Sequence, residues 1–171
     1  MNDTPQYYGT ISRLLHWLMA LGFAFMAVIA ALFATDDKYY SLMDYHKLTG
    51  YFLFILFWVR LAWACANRSR RPHNDLAARL GHAALYVLMF AVPFIGLLRQ
   101  YGNARGPLEF GGMTLLPAAA EKITWMTELG GAAHGKLGWL LFALAAGHIL
   151  MAVLHQIQGK KILNRMAGPR R

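Results

Sequence analysis

Apolar residues gather in four long runs separated by short polar segments. The first is Ile11 to Phe33 and the second Leu48 to Ala66; the third is Leu80 to Leu98, interrupted by Pro93, and the fourth Ala132 to Leu154. About 20 apolar residues cross a ~30 Å hydrocarbon core, so each run predicts a membrane-spanning helix. With their flanks, the helices are expected at about 11–33, 42–66, 80–98 and 132–155. The expected fold class is an all-α membrane protein, one domain over residues 1–171, built as a four-transmembrane-helix bundle. No short run is followed by a small-residue cleavage site, so the first run is read as a retained helix rather than a signal peptide. The long segment from Arg99 to Gly131 is expected to hold small elements of its own, including "ITWMTELG", and to cover part of the outer end of the bundle.

Composition agrees with that pattern. The 171 residues are 57% hydrophobic, and the mean hydropathy is +0.35, too apolar for a soluble domain of this length. The formal net charge is +9. Its distribution points to topology rather than to nucleic acid. Arg68, Arg70, Arg71 and Arg79 follow the second run, and Lys160, Lys161, Arg165, Arg170 and Arg171 form the tail. The other loops carry only Lys38, Arg99, Arg105 and Lys122. Nine basic residues against four place both termini in the cytoplasm, with the first loop and the long loop facing outward. The tail also suits anionic lipid headgroups. Cys65 is the sole cysteine, so no internal disulfide forms, and it reads as a small hydrophobe.

The candidate chemistry is histidine. The fourth run carries His134 and His148, with His155 at its end. His134 and His148 are fourteen residues apart, which puts them within about 40° of one helix face and ~21 Å apart along the axis. His155 stays near that face, ~10 Å further on. An ionisable group inside a membrane usually faces the bundle interior and marks a function. Depth suggests its partners. His46 starts the second helix at the outer end, level with His134. His16 lies just inside the first helix at the cytoplasmic end, level with His148. Two pairs at two depths suit two bis-imidazole b-type haems, each held between facing helices. Gly22, Gly50, Gly135, Gly138 and the small residues Ala143 to Gly147 are expected to open room for the macrocycles. A proton or ion pathway is the main rival reading; a zinc site is disfavoured by the single cysteine and by the separation in depth.

The stretches "LLHWLMALGF", "YHKLTGYFLFILFWVRLAW", "LGHAALYVLMFAVPFIGLL", "GPLEFGGMTLLP" and "AHGKLGWLLFALAAGHILMAVLHQ", in this order, resemble the bacterial cytochrome b561 family over roughly Tyr8 to Met166. The resemblance implies an inner-membrane four-helix protein enclosing two b haems, both termini cytoplasmic. On the matching motifs, the haem-iron ligands fall on His16 with His148 and on His46 with His134. Within the family the chain looks most similar to the superoxide oxidase class, which passes an electron from superoxide outside to ubiquinone near the cytoplasmic face. Carried over, "LGH" puts His82, and "VLH" puts His155, beside that quinone.

Several charged residues bear on the same sites. Arg60 lies fourteen residues after His46, on a similar face and at the depth of the inner haem. A buried guanidinium needs an anion, which a haem propionate would supply; the other reading is an arginine snorkelling to the interface. Arg13 is expected at the same propionates or at the quinone head. Lys47 and Lys136 flank the outer ligands and would steer a small anion such as superoxide, opposed by Asp36, Asp37 and Asp44. Trp17, beside His16, reads first as an interfacial anchor or a packing residue. Three functions stay open: superoxide:ubiquinone oxidoreductase, an electron-transfer subunit linking a periplasmic redox protein or dehydrogenase to the quinone pool, and a haem-free transporter or channel.

Overall fold

The computed structural model describes residues 3–72, 75–160 and 162–167; Lys161, Arg170 and Arg171 of the basic tail lie outside them. Helix α1 spans Thr10–Phe33. A 3₁₀ stretch, Asp37–Leu42, leads into α2, Met43–Ala66. A shorter one, Arg68–Arg70, precedes α3, Leu76–Gly102. Strands β1, Leu108–Phe110, and β2, Met113–Leu116, form an antiparallel hairpin. Helix α4, Thr124–Leu129, runs through a π-helical turn at Gly130–His134 into α5, Gly135–Ile157. A short α6, Ile162–Ala167, follows. Among the described residues, four stretches are long and apolar enough to cross a membrane: Thr10–Phe33, Asp37–Ala66, Leu76–Gly102 and Thr124–Ile157.

Three features depart from the sequence reading. The fourth span begins at Thr124, not near Ala132, so "ITWMTELG" is its first part rather than a separate loop element. The Gly130–Gly131 pair hides this continuity, because glycine disfavours helix interiors. The third span is longer at both ends; Asp75 caps its start by accepting from the Ala78 amide at 2.8 Å. The fold is mostly helical rather than all-α: its hairpin strands, three and four residues long, are too short to show an alternating pattern.

The core is thin. Met19 from α1, Phe57 from α2, Leu88 and Met89 from α3, and Leu141 from α5 make one buried cluster. Leu21, Val28, Val59, Val87, Ile149 and Ile157 point outward instead, as expected where lipid replaces water around the bundle. Gly22 does not open haem space. Leu53 fills it, and a Cβ there would stand 2.7 Å from the Leu53 side chain, so α1 and α2 approach closely. Close backbone packing among the described residues runs in a chain, α1 on α2, α2 on α3, α3 on α5. Helix α5 stays farther from α1 and from α2.

Both termini meet at one end of the bundle, where the Tyr8 amide donates to the Arg165 carbonyl at 3.3 Å. This is called the near end, and the opposite one the far end. At the near end Asp3 has a fully buried side chain. It accepts from the Gly9 amide at 2.7 Å, the Ser12 hydroxyl at 2.9 Å and Arg71 Nε at 3.2 Å. Trp63 Nε1 donates to the same Ser12 hydroxyl at 2.9 Å. One carboxylate thus joins the start of α1, the end of α2 and the connection to α3. Asp3→Ala is expected to destabilise the protein by about 2–3 kcal/mol, below the range for a fully buried pair, because the Arg71 side chain is 24% exposed. Thermal unfolding in detergent measures it, and an unchanged midpoint would discard the latch.

Candidate functional site

Four histidines face one another across the two gaps that the backbones leave open. His16 of α1 faces His148 of α5, ring centroids 6.4 Å apart and planes at 65°. His46 of α2 faces His134, at the start of α5, with centroids 5.8 Å apart and planes at 79°. Two metal–nitrogen bonds of about 2 Å plus the ring radii separate facing imidazole centroids by about 6 Å. Both pairs therefore have the span that one ion between two imidazoles requires. Among the described residues no group of three or more His, Cys, Asp or Glu side chains suited to a metal forms. Each pair offers an ion two nitrogens, which suits a metal whose other ligands come from a macrocycle.

The far-end pair is the better prepared. His134 Nδ1 lies 3.0 Å from the Val92 carbonyl of α3. A carbonyl only accepts, so Nδ1 carries the proton and Nε2 keeps its lone pair for a metal. The contact depends on Gly96, where a Cβ would stand 2.8 Å from His134 Cε1. Pro93, between Val92 and Gly96, also removes one rung of the α3 hydrogen-bond ladder. Gly130 performs a similar service one turn earlier: a Cβ there would lie 2.5 Å from Arg99 Cβ, so α3 and the π turn pass in near contact. Across the gap, His46 packs on Phe33 at 5.6 Å. Its Nδ1 is buried with no partner among the described residues. An unpaired buried nitrogen costs about 1–3 kcal/mol, and a metal or a ligand-bound group in the gap relieves it.

The near-end pair has a third histidine and an arginine. His82 of α3 stacks edge-on against His148, centroids 5.3 Å apart. Arg60 Nη2 lies 3.2 Å from His16 Nδ1, and Nη1 lies 3.6 Å from Met19 Sδ. The guanidinium also covers the Tyr86 ring at 5.6 Å. Arg60 is thus at the depth of His16, and it has no carboxylate partner among the described residues. A guanidinium only donates, so in this arrangement His16 Nδ1 accepts and Nε2 holds the proton. Metal binding through Nε2 requires Arg60 to turn away, toward an anion. A haem propionate is such an anion, and the histidine pairs, the orphaned nitrogen and the anion-less arginine together fit a haem.

The remaining candidates are more scattered. His155 is half-buried two turns beyond His148, and its ring makes no hydrogen bond or ring contact among the described residues. Nothing brings it against His82. Arg13 Nη2 donates to the Asn164 carbonyl of α6 at 3.2 Å, and Trp17 Nε1 donates to the Met166 carbonyl at 3.3 Å; both tie the tail to α1. Lys47 pairs with Asp44 at 3.7 Å. Lys136 is exposed. Sequence reasoning missed Gly96, Val92 and Asp3. For Gly96 the signal was the "PFIG" step inside an apolar run; for a backbone carbonyl such as that of Val92 there is none.

A helical membrane bundle with imidazole pairs at two depths defines a membrane cytochrome of the b type. Comparison with known proteins agrees. The family model described as prokaryotic cytochrome b561 matches residues 7–169. Cytochrome b561 homolog 2 of Escherichia coli (strain K12) is 32% identical over 97% of this chain and 94% of its own length. The chain belongs to the prokaryotic cytochrome b561 family. It is a multi-pass protein of the bacterial inner membrane that binds b-type haem and transfers electrons.

Gly96→Val is expected to push the His134 ring from its seat. Haem content per chain should fall, read from the pyridine haemochrome and the reduced spectrum. Full haem content in this variant would show that the Gly96–His134 contact is dispensable.

Proposed function

We propose that the chain is a two-haem b cytochrome acting as a superoxide:ubiquinone oxidoreductase. Superoxide gives up its electron at the far end, read as periplasmic, and ubiquinone is reduced at the near end, read as cytoplasmic. Two superoxide anions become dioxygen for each ubiquinone that takes two electrons and two protons to form ubiquinol. The observation that carries this reading is the pairing along α5. His134 faces His46 and His148 faces His16, fourteen residues and ~21 Å apart. Haem bound at each pair supplies one-electron exchange over most of the membrane thickness.

The chain's own residues divide the remaining work. Arg60 leaves His16 to hold a propionate, and Arg13 steadies the same end through the tail. His82, against the inner pair, donates a hydrogen bond to the quinone. His155, half-buried near the end of α5, passes it protons from the cytoplasmic water. Lys136, exposed and two residues from His134, draws anions toward the outer pair. Lys47 contributes less, because Asp44 shares its charge. The same ion pair, with Lys38 and Asp36 at 3.0 Å, favours a second reading in which a periplasmic redox protein or dehydrogenase docks on a mixed-charge surface as the donor.

The ligand assignment makes a sharp expectation. His46→Ala or His134→Ala should lose one haem and keep the other, and His16→Ala or His148→Ala should lose the opposite one, seen as complementary changes in the reduced spectrum. His155→Ala should keep both. Loss of a haem in His155→Ala, with both retained in His148→Ala, would overturn the pairing.

The functional reading is tested by stopped-flow mixing of the haem-loaded protein with superoxide and ubiquinone. Haem reduction should be fast and second-order. Its rate should fall as salt rises, since exposed charges are screened beyond ~8–10 Å. Lys136→Gln should lower the rate and flatten the salt dependence. A slow, salt-insensitive reaction in the native protein would sink the superoxide reading and leave the protein donor.

A further inference from the structure

The connection between α3 and α4 is firmly rooted. Buried Gln100 donates through Nε2 to the Gly106 carbonyl at 3.1 Å. The Ala119 amide donates to the Tyr101 carbonyl at 3.0 Å, and the Ile123 amide to the Gly102 carbonyl at 2.8 Å. From this base the β1–β2 hairpin projects, anchored by Leu108, which is 4% exposed. Its turn is Gly111–Gly112, with φ of 57° and 80°. Two successive left-handed residues make the tight hairpin turn that glycine alone accepts at no steric cost.

The register decides what the hairpin shows. Glu109 is opposite Thr114, and Phe110 is opposite Met113. Cross-strand partners share a face and neighbours alternate. Phe110 and Met113 therefore form one apolar face at the tip, and Glu109 and Thr114 form the polar face behind it. Phe110 is 52% exposed and Met113 64%. The ring that Phe110 meets is Phe52 of α2, edge-on at 5.7 Å. Phe52 is itself exposed. It follows His46 by six residues, about 120° around the helix from it, so it looks away from the histidine gap and out of the bundle. On this stretch of a spanning helix, the outside is lipid.

We infer that the Phe110–Met113 face is inserted into the bilayer at the headgroup–acyl boundary of the far-end leaflet, with the lipid surface as its partner. Depth is consistent. Lys47 is the last charged residue of α2 before its apolar stretch, so hydrocarbon begins near Leu48. Phe52 lies ~6 Å below that level, and its ring leans back toward the far end because helical side chains tilt toward the N-terminus. Amphipathic interfacial elements bury their apolar faces by about 5–10 Å. The hairpin goes no deeper, because each strand has one edge of unpaired backbone groups that hydrocarbon does not satisfy. The apolar tip continues the lipid-facing surface of α2, while Glu109 stays among headgroups and water. The hairpin thereby sets the height of the bundle in the bilayer beside the outer histidine pair. This inference is independent of which donor or acceptor the protein uses.

Single cysteines at Phe110, Met113, Glu109 and Thr114, each in a Cys65→Ser background, test it. The haem-loaded proteins are held in nanodiscs of phosphatidylethanolamine and phosphatidylglycerol, with an unchanged reduced spectrum as the check on folding. A charged, membrane-impermeant maleimide should label Phe110→Cys and Met113→Cys about tenfold more slowly than Glu109→Cys and Thr114→Cys, since the reactive thiolate is disfavoured at an apolar boundary. A lipid-partitioned pyrene maleimide should reverse that order. Equal labelling of all four positions by the charged reagent would put the hairpin in water and overturn the inference. Protection of Phe110→Cys and Met113→Cys from both reagents would mean a protein contact, and would overturn it equally.

Discussion

An imidazole buried between membrane helices is costly for each nitrogen left unbonded, and much of this bundle is arranged around that demand. The helix pairs that carry facing histidines are among those whose backbones stay apart, while α1–α2, α2–α3 and α3–α5 close up. Room for four rings is thus gained at the expense of core, which shrinks to a single cluster around Met19, Phe57 and Leu141. The far-end pair shows how local the adjustment is. A glycine at 96 lets the His134 ring approach, and the Val92 carbonyl beside it takes the ring proton. With that proton fixed, the opposite nitrogen is the only one left for a metal.

Two arginines of the bundle, Arg71 and Arg60, separate structure from function. Arg71 has a carboxylate waiting for it, in Asp3, and the pair draws three chain segments together at the near end. Arg60 has none and rests on a histidine, a thioether and an aromatic face. Neutral partners of this kind stabilise a guanidinium weakly compared with an anion. The first arrangement is complete within the protein. The second is complete only when an anionic group enters, which is the condition expected of a residue that holds a cofactor.

The spans and the depth-matching of the histidines were legible in the sequence, because apolar run length and the helical repeat are both local properties. The contact between the His82 ring and His148 was not legible, because it depends on how α3 packs on α5. Arg13 also donates to the carbonyl of Asn164, 151 residues away, and no local pattern encodes such a contact. Gly22 was misread for the complementary reason. A small residue marks a close approach, yet sequence does not say whether a cofactor or a neighbouring leucine makes it. The hairpin was obscured by the shortness of its strands on either side of Gly111–Gly112, and the early start of the fourth span by the pair Gly130–Gly131.

The second of those pairs begins the π turn at Gly130–His134, which bears on how the family can diverge. A π turn accommodates one more residue than the α-helix around it. Losing one residue there would restore regular helix and leave α4 facing almost as it does now, because the five residues of the π turn rotate the chain about as far as four of α-helix, so Trp125 and the cap over the far end would keep their direction. The register between His134 and His148 would be untouched, because every residue between them belongs to α5. The turn is therefore a place where the chain can hold one residue more or less while α4, α5 and the spacing of His134 and His148 keep their relative setting.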